Sequence, residues 1–176
     1  QIFALFLGLA ALIAGCQTVQ TTSGGAVGVE RQQRMMFSSA EIDASASKAY
    51  QQTIAEAQKK GMLNRDAAQV QRVRAIAQRL IPATGAFRQD APQWRWEVNV
   101  ITSKEVNAWC MPGGKIAVYT GLIESLNATD DELAAVMGHE IAHALREHGR
   151  ERASQQAAQG MVLQVLGAAA GVGQSG

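Results

Sequence analysis

Two cysteines in 176 residues are too few for a disulfide scaffold. An excess of charge is missing as well. Sixteen Lys and Arg stand against fifteen Asp and Glu, a formal net charge of +1, so there is none of the concentrated basic face that nucleic acid requires. No apolar run reaches the roughly 20 residues of a transmembrane helix. No G-x-S-x-G elbow occurs, which removes the support for a serine hydrolase. Gly113-Gly114-Lys115 is not a phosphate loop, because Trp109 stands where that loop needs Gly and Ile116 where it needs Ser or Thr. What is present is 47% hydrophobic and 18% charged content, which excludes a disordered polymer, in a length that suits one domain with a real core.

The charge is unevenly spread. Every charged residue lies between Glu30 and Arg152, and both ends are bare. Ile2 to Ala14 is an apolar run that meets Gly15-Cys16, as the h-region of a secretory signal meets its small residues. Ile13-Ala14-Gly15-Cys16 resembles the bacterial lipobox, in which the cysteine is lipidated and residues 1–15 are removed. The alternatives are a plain signal peptide or a buried helix that contains Cys16. Neither an initiator Met nor a basic start precedes the run, so a few N-terminal residues are expected to be missing. Gln17 after the cysteine, rather than Asp, resembles the sorting of lipoproteins to the outer membrane, facing the periplasm. Gln17 to Val29 is Thr, Ser, Gly and Gln in the main, and residues 16–40 are expected to be a lipidated, flexible tether.

Residues 41–176 read as the folded part. Ile42, Ala46, Ala49, Tyr50, Thr53, Ile54 and Ala57 recur at three and four, predicting an amphipathic helix over Glu41–Lys60 that Gly61 ends. Asn64 is the expected N-cap of a second helix with the stripe Val70, Val73, Ile76, Ala77 and Leu80, stopped by Pro82 and Gly85. Its four arginines read as a solvated face. Trp94 to Val100 alternates strictly and predicts a half-buried strand with the Trp pair in the core. A second strand is expected over Lys115–Thr120, after the turn Met111-Pro112-Gly113-Gly114.

Thr129-Asp130-Asp131-Glu132 matches the capping box and starts a helix just before Leu133. That helix carries His139-Glu140-Ile141-Ala142-His143, an H-E-x-x-H pattern. At about 100° per residue the two histidines differ by only ~40°, so both imidazoles can reach one metal ion. Glu140 lies beside the pair, placed as general base rather than ligand. Met137, Ile141 and Leu145 form the opposite, core-facing stripe. His148 falls ~180° around from His139 if the helix continues, which argues against it as a third ligand, and Glu147 reads as a surface charge. Arg146 and Gly149 also stand where the metzincin pattern needs Gly and His. No His, Cys, Asp or Glu follows Arg152. Cys110 reads as a small buried hydrophobe between Trp109 and Met111.

Together these pieces resemble the gluzincin peptidase family M48, which includes HtpX-like proteases and periplasmic lipoprotein relatives. The likeness covers roughly Asp66 to Arg152. It rests on the second helix and the Trp94–Val100 strand, on Asn107-Ala108-Trp109-Cys110-Met111-Pro112-Gly113-Gly114-Lys115-Ile116-Ala117-Val118, similar to N-A-x-x-x-P-G-G-x-I-x-V, and on Gly138-His139-Glu140-Ile141-Ala142-His143-Ala144. The resemblance implies an α+β, zincin-like fold with the active helix on a small mixed sheet. It implies one Zn2+ per chain on His139 and His143, with Glu140 as base. The third ligand, a downstream Glu, has no counterpart here, so the chain is expected to be the front part of a longer catalytic domain, inactive and weak in zinc binding by itself. Ala153–Gly176 would be the helix leading away from the active helix. Lys115, Ile116, Ala117, Val118 and Tyr119 resemble the family's substrate-binding edge strand. The function implied is a zinc endopeptidase of the bacterial envelope, anchored to the membrane by its lipid, acting on misfolded or unassembled proteins. The alternative is a non-proteolytic zinc lipoprotein that serves as a chaperone or assembly scaffold.

Overall fold

The computed structural model describes residues 17–24, 28 and 30–172. The signal-like run, Cys16 and residues 173–176 lie outside them. Helix α1 (Ser39–Lys59) starts earlier than its apolar period suggests, because Ser38 and Glu41 close a capping box around its first turn. Lys60 ends it and Gly61 takes a φ of +65°, a left-handed turn open to glycine at little cost. Helix α2 (Ala67–Leu80) is capped by Asp66, whose carboxylate accepts from the N–H groups of Ala68 and Gln69. Asn64, the expected cap, does something else. With φ of +50° its side chain accepts from the N–H of Val100 at 2.8 Å and donates to Asn99 at 2.7 Å.

Two short 3-10 turns, Ile81–Ala86 and Ala91–Gln93, follow α2. The next strand, β3, spans Glu97–Ile101 and not Trp94–Val100. The Trp pair stays out of it because each ring is anchored by the preceding turn. Trp94 Nε1 donates to Asp90, Trp96 Nε1 to the Ala91 carbonyl, and the two rings stack 5.6 Å apart against the core.

Strands β4 (Ala108–Met111) and β5 (Lys115–Tyr119) complete a three-stranded sheet of order β3-β5-β4. β5 is parallel to β3 and antiparallel to β4, so it is the central strand. That corrects the edge-strand reading of Lys115, Ile116, Ala117, Val118 and Tyr119. The first four are buried, as suits a strand covered on both faces and paired on both sides. Helix α3 (Thr120–Glu124) leads into helix α4 (Asp130–Leu145), whose Thr129–Glu132 capping box forms as its sequence implies.

Helices α2 and α4 pack on one face of the sheet. Val73, Ile76, Val100, Ile116, Val118, Leu133, Met137 and Ile141 close the main core between them. On the other face, α1 brings Ile54 and Ala57 to Ile101, Ala117, Trp109 and Tyr119, and Tyr50 meets Trp109 edge-on at 5.8 Å. The architecture is thus mixed α and β in three layers.

Helix α5 (His148–Val172) departs from α4 after a two-residue break. Against it lies a two-stranded antiparallel sheet of β1 (Gln17–Val19) and β2 (Gln33–Met35). The stretch expected to be a tether is therefore partly a strand. Polar composition gives no apolar period there, but Met35 buries fully, Met36 N–H donates to Ser154 Oγ, and Ser23 N–H donates to the Phe87 carbonyl. No described helix is long and apolar enough to cross a membrane.

Candidate metal centre

α4 presents its buried stripe, Leu133, Met137, Ile141 and Leu145, to the core, and the residues one step around the helix become available for chemistry. His139 and His143 sit there, one turn apart, with their Nε2 atoms converging to 3.0 Å and their rings nearly perpendicular. Tetrahedral zinc with Zn–N bonds of about 2.0–2.1 Å holds two nitrogen ligands roughly 3.3 Å apart. The donor pair therefore fits a zinc ion with a shift of only a few tenths of an ångström. Among the described residues, no group of three His, Cys, Asp or Glu is placed to hold a metal ion. To hold a zinc ion the pair would need at least a third donor.

Glu140 is on the flank of α4 that faces β4. Its charge reaches Cys110 of β4, whose thiol is pushed up to about 12 by burial and, secondarily, by that negative charge. The thiol is thus neutral, and its place beside the core fits the small-hydrophobe reading.

β4 runs along α4 as the outer strand of the sheet. Tyr119 N–H donates to the Asn107 carbonyl at 3.1 Å. The register pairs Trp109 with Ala117 and Met111 with Lys115, and hydrogen-bonded pairs alternate in an antiparallel ladder. The N–H and C=O groups of Ala108 and Cys110 consequently point away from β5, to the side of β4 that pairs with no strand among the described residues. The opposite edge of the sheet, β3, is closed: Asn64 N–H bonds Val100, Thr102 N–H bonds Met62, and Arg74 Nε donates to the Val98 carbonyl.

Two residues differ from their sequence expectation. The helix does not continue through His148: Arg146 closes α4, and Glu147 turns the chain with φ of +50°. This brings the His148 ring beside His143, with Nδ1 to Nδ1 at 2.6 Å. Burial and the neighbouring His143 lower the His148 pKa. Glu147 is no surface charge. It is buried, and its carboxylate accepts from Arg88 Nη1 and Arg150 Nη1 at 2.6 Å each and from Ser39 at 3.0 Å. Burial by itself would raise its pKa, but the bonds from Arg150, Arg88 and Ser39 outweigh it and lower the value. Next to it, Glu151 is buried against Arg31 and Gln33 of the N-terminal sheet. The local signal for this cluster is the three-residue spacing of Glu147 and Arg150.

The sequence profile of peptidase family M48 matches residues 67–176. The chain is 38% identical to bovine mitochondrial metalloendopeptidase OMA1 over 100 residues, 54% of this chain and 18% of that protein. It is 48% identical to Arabidopsis thaliana mitochondrial metalloendopeptidase OMA1 over 56 residues, 32% of this chain and 11% of that one. It is 28% identical to Escherichia coli metalloprotease LoiP over 147 residues, 81% of this chain and 52% of LoiP. The chain thus spans between about a tenth and about half the length of these relatives.

Proposed function

Because the chain belongs to peptidase family M48, a family of metallopeptidases, we propose that it is a zinc-dependent endopeptidase of the bacterial cell envelope acting on misfolded or unassembled proteins. The observation that carries this reading is the convergence of His139 and His143 Nε2 on α4, the helix packed along β4, whose outer edge pairs with no strand among the described residues. In the proposal one Zn2+ per chain sits on the two histidines, and a Glu from elsewhere in the protein completes the set, by resemblance to the family.

Bound zinc would supply the Lewis acid that acidifies a water and polarises the scissile carbonyl. Glu140 takes the proton of the attacking water and returns it to the leaving amine nitrogen. An extended substrate adds to β4, where the N–H and C=O groups of Ala108 and Cys110 offer it main-chain hydrogen bonds. That edge replaces Lys115–Tyr119 as the proposed substrate strand, since a central strand has no groups left to donate. Lipidation of Cys16 would hold the enzyme at the outer membrane, facing the periplasm.

The test is Glu140→Gln in the full-length protein, read by cleavage of unfolded casein and by metal content. The expected result is retained zinc with cleavage lowered by on the order of 100-fold or more. Native-rate cleavage by a zinc-loaded Glu140→Gln protein would remove Glu140 from its role.

A further inference from the structure

We infer that His148 is the positioning residue for the metal ligand His143, its Nδ1 accepting the Nδ1–H of His143 so that Nε2 of His143 keeps its lone pair for zinc. The inference rests on the zinc reading above and adds to it the group that sets the ligand's tautomer.

A neutral imidazole has one N–H and one lone pair. Histidines that bind a metal through one nitrogen donate the other N–H to an acceptor, which fixes the tautomer and the ring plane. His143 directs Nε2 at His139, so Nδ1 must find that acceptor. The partner the structure provides is Nδ1 of His148, 2.6 Å away. Two ring nitrogens at that distance hold one proton between them, since two lone pairs would repel and two N–H groups would collide. If His148 kept the proton on Nδ1, His143 would carry its own on Nε2 and could not bind metal there. Zinc on Nε2 therefore selects the arrangement in which His143 donates and His148 accepts.

The geometry also explains why His148 does not join the ligand set. It faces the nitrogen of His143 that points away from His139, on the far side of the ring from the proposed metal. An uninterrupted helix would carry His148 ~140° around from His143. The break at Arg146–Glu147 brings it back, with Glu147 N–H donating to the Ala144 carbonyl at 3.1 Å. The buried bonds from Glu147 to Arg88, Arg150 and Ser39 hold that turn. An acceptor this fixed on a ligand's second nitrogen has the features of a supporting shell.

The experiment uses the full-length protein and zinc itself. Affinity is measured by competition with a chromogenic chelator for the unmodified protein, His139→Ala, His148→Leu and His148→Gln. Loss of the acceptor in His148→Leu should weaken zinc binding by about 10–100-fold. His148→Gln, which supplies a carbonyl acceptor, should recover a substantial part of that loss. In parallel, two-bond proton–nitrogen correlations of the histidine-labelled, zinc-loaded protein should show His143 protonated on Nδ1 and His148 unprotonated on Nδ1. This second readout needs no substitution and decides the matter if His148→Leu does not fold. Zinc binding by His148→Leu within twofold of the unmodified protein, while His139→Ala loses it, would overturn the role of His148 and leave the zinc site standing. A protonated His148 Nδ1 in the zinc-loaded protein would do the same. Failure of the unmodified protein to bind zinc would remove the site and this role together.

Discussion

Replacing Glu147 by Ala isolates what one buried carboxylate contributes to the corner between α4 and α5. The backbone there is left-handed, with φ of +50°, and Ala tolerates that conformation no better than Glu, so the strain is the same in both proteins. What changes is the charge balance. Arg88 keeps a second carboxylate, its Nε donating to Asp90 at 2.8 Å, and its side chain reaches solvent. Among the described residues Arg150 hydrogen-bonds no second carboxylate, Asp43 acting on it only through its charge. Its side chain is 7% exposed, and apart from Glu147 its guanidinium is left with the Phe37 carbonyl and the Ser39 hydroxyl. Stranding a buried charge in this way costs about 3–5 kcal/mol, which in a protein of this size lowers the melting temperature by on the order of 6–20 °C. The pH dependence has a definite sign. Because the folded state lowers the Glu147 pKa, its stabilisation is complete above the unfolded carboxylate value of about 4.3 and disappears as pH falls through the folded value. Urea unfolding followed by circular dichroism should find the unmodified protein ahead at pH 7 and the two proteins converging in acid. A second variant, Glu147→Leu with Arg150→Met, should regain most of the loss, since no charge is then stranded. A cost below about 1 kcal/mol for Glu147→Ala at pH 7, or a gap that widens in acid, would refute the charge argument.

Three other outcomes follow from the same physical reasoning. Gly121→Ala would drive a Cβ against the backbone carbonyl oxygens of Lys104 and Glu105, 2.5 Å from the former, and should cost about 2–3 kcal/mol in urea unfolding. Gly138→Ala meets nothing within 4 Å in the interior of α4 and should stabilise the protein by about 1 kcal/mol; the opposite order for the two glycines would contradict the packing. Cys110, with its thiol at about 12, should resist alkylation at pH 8 in the folded protein and react fully in urea, in a chain whose Cys16 has been replaced by Ser. Fast labelling of the native protein would show the sulfur to be accessible.

How much of this was legible beforehand depended on the range over which each feature is determined. The helix carrying the proposed metal ligands could be read because everything needed is local. Thr129 and Glu132 cap it, Met137, Ile141 and Leu145 set its buried side, and four-residue spacing puts His139 and His143 on one face. The same logic applied to Ser38 and Glu41, a capping box that the apolar period alone did not bring into view. Strand order was not local. Lys115–Tyr119 became central only because β3 joins it from one side and β4 from the other, and an apolar run reads alike in either position. The corner after Leu145 is the sharpest case. No Gly, Asn or Pro marks Glu147, and helical periodicity runs on past it. The chain breaks there because Arg88, 59 residues earlier, and Ser39, 108 residues earlier, hold its carboxylate. Periodicity was enough to bring His139 and His143 together as the proposed metal ligands. The contact of His148 with His143 depends on distant partners that bend the chain back, so only the three-dimensional structure brings it into view.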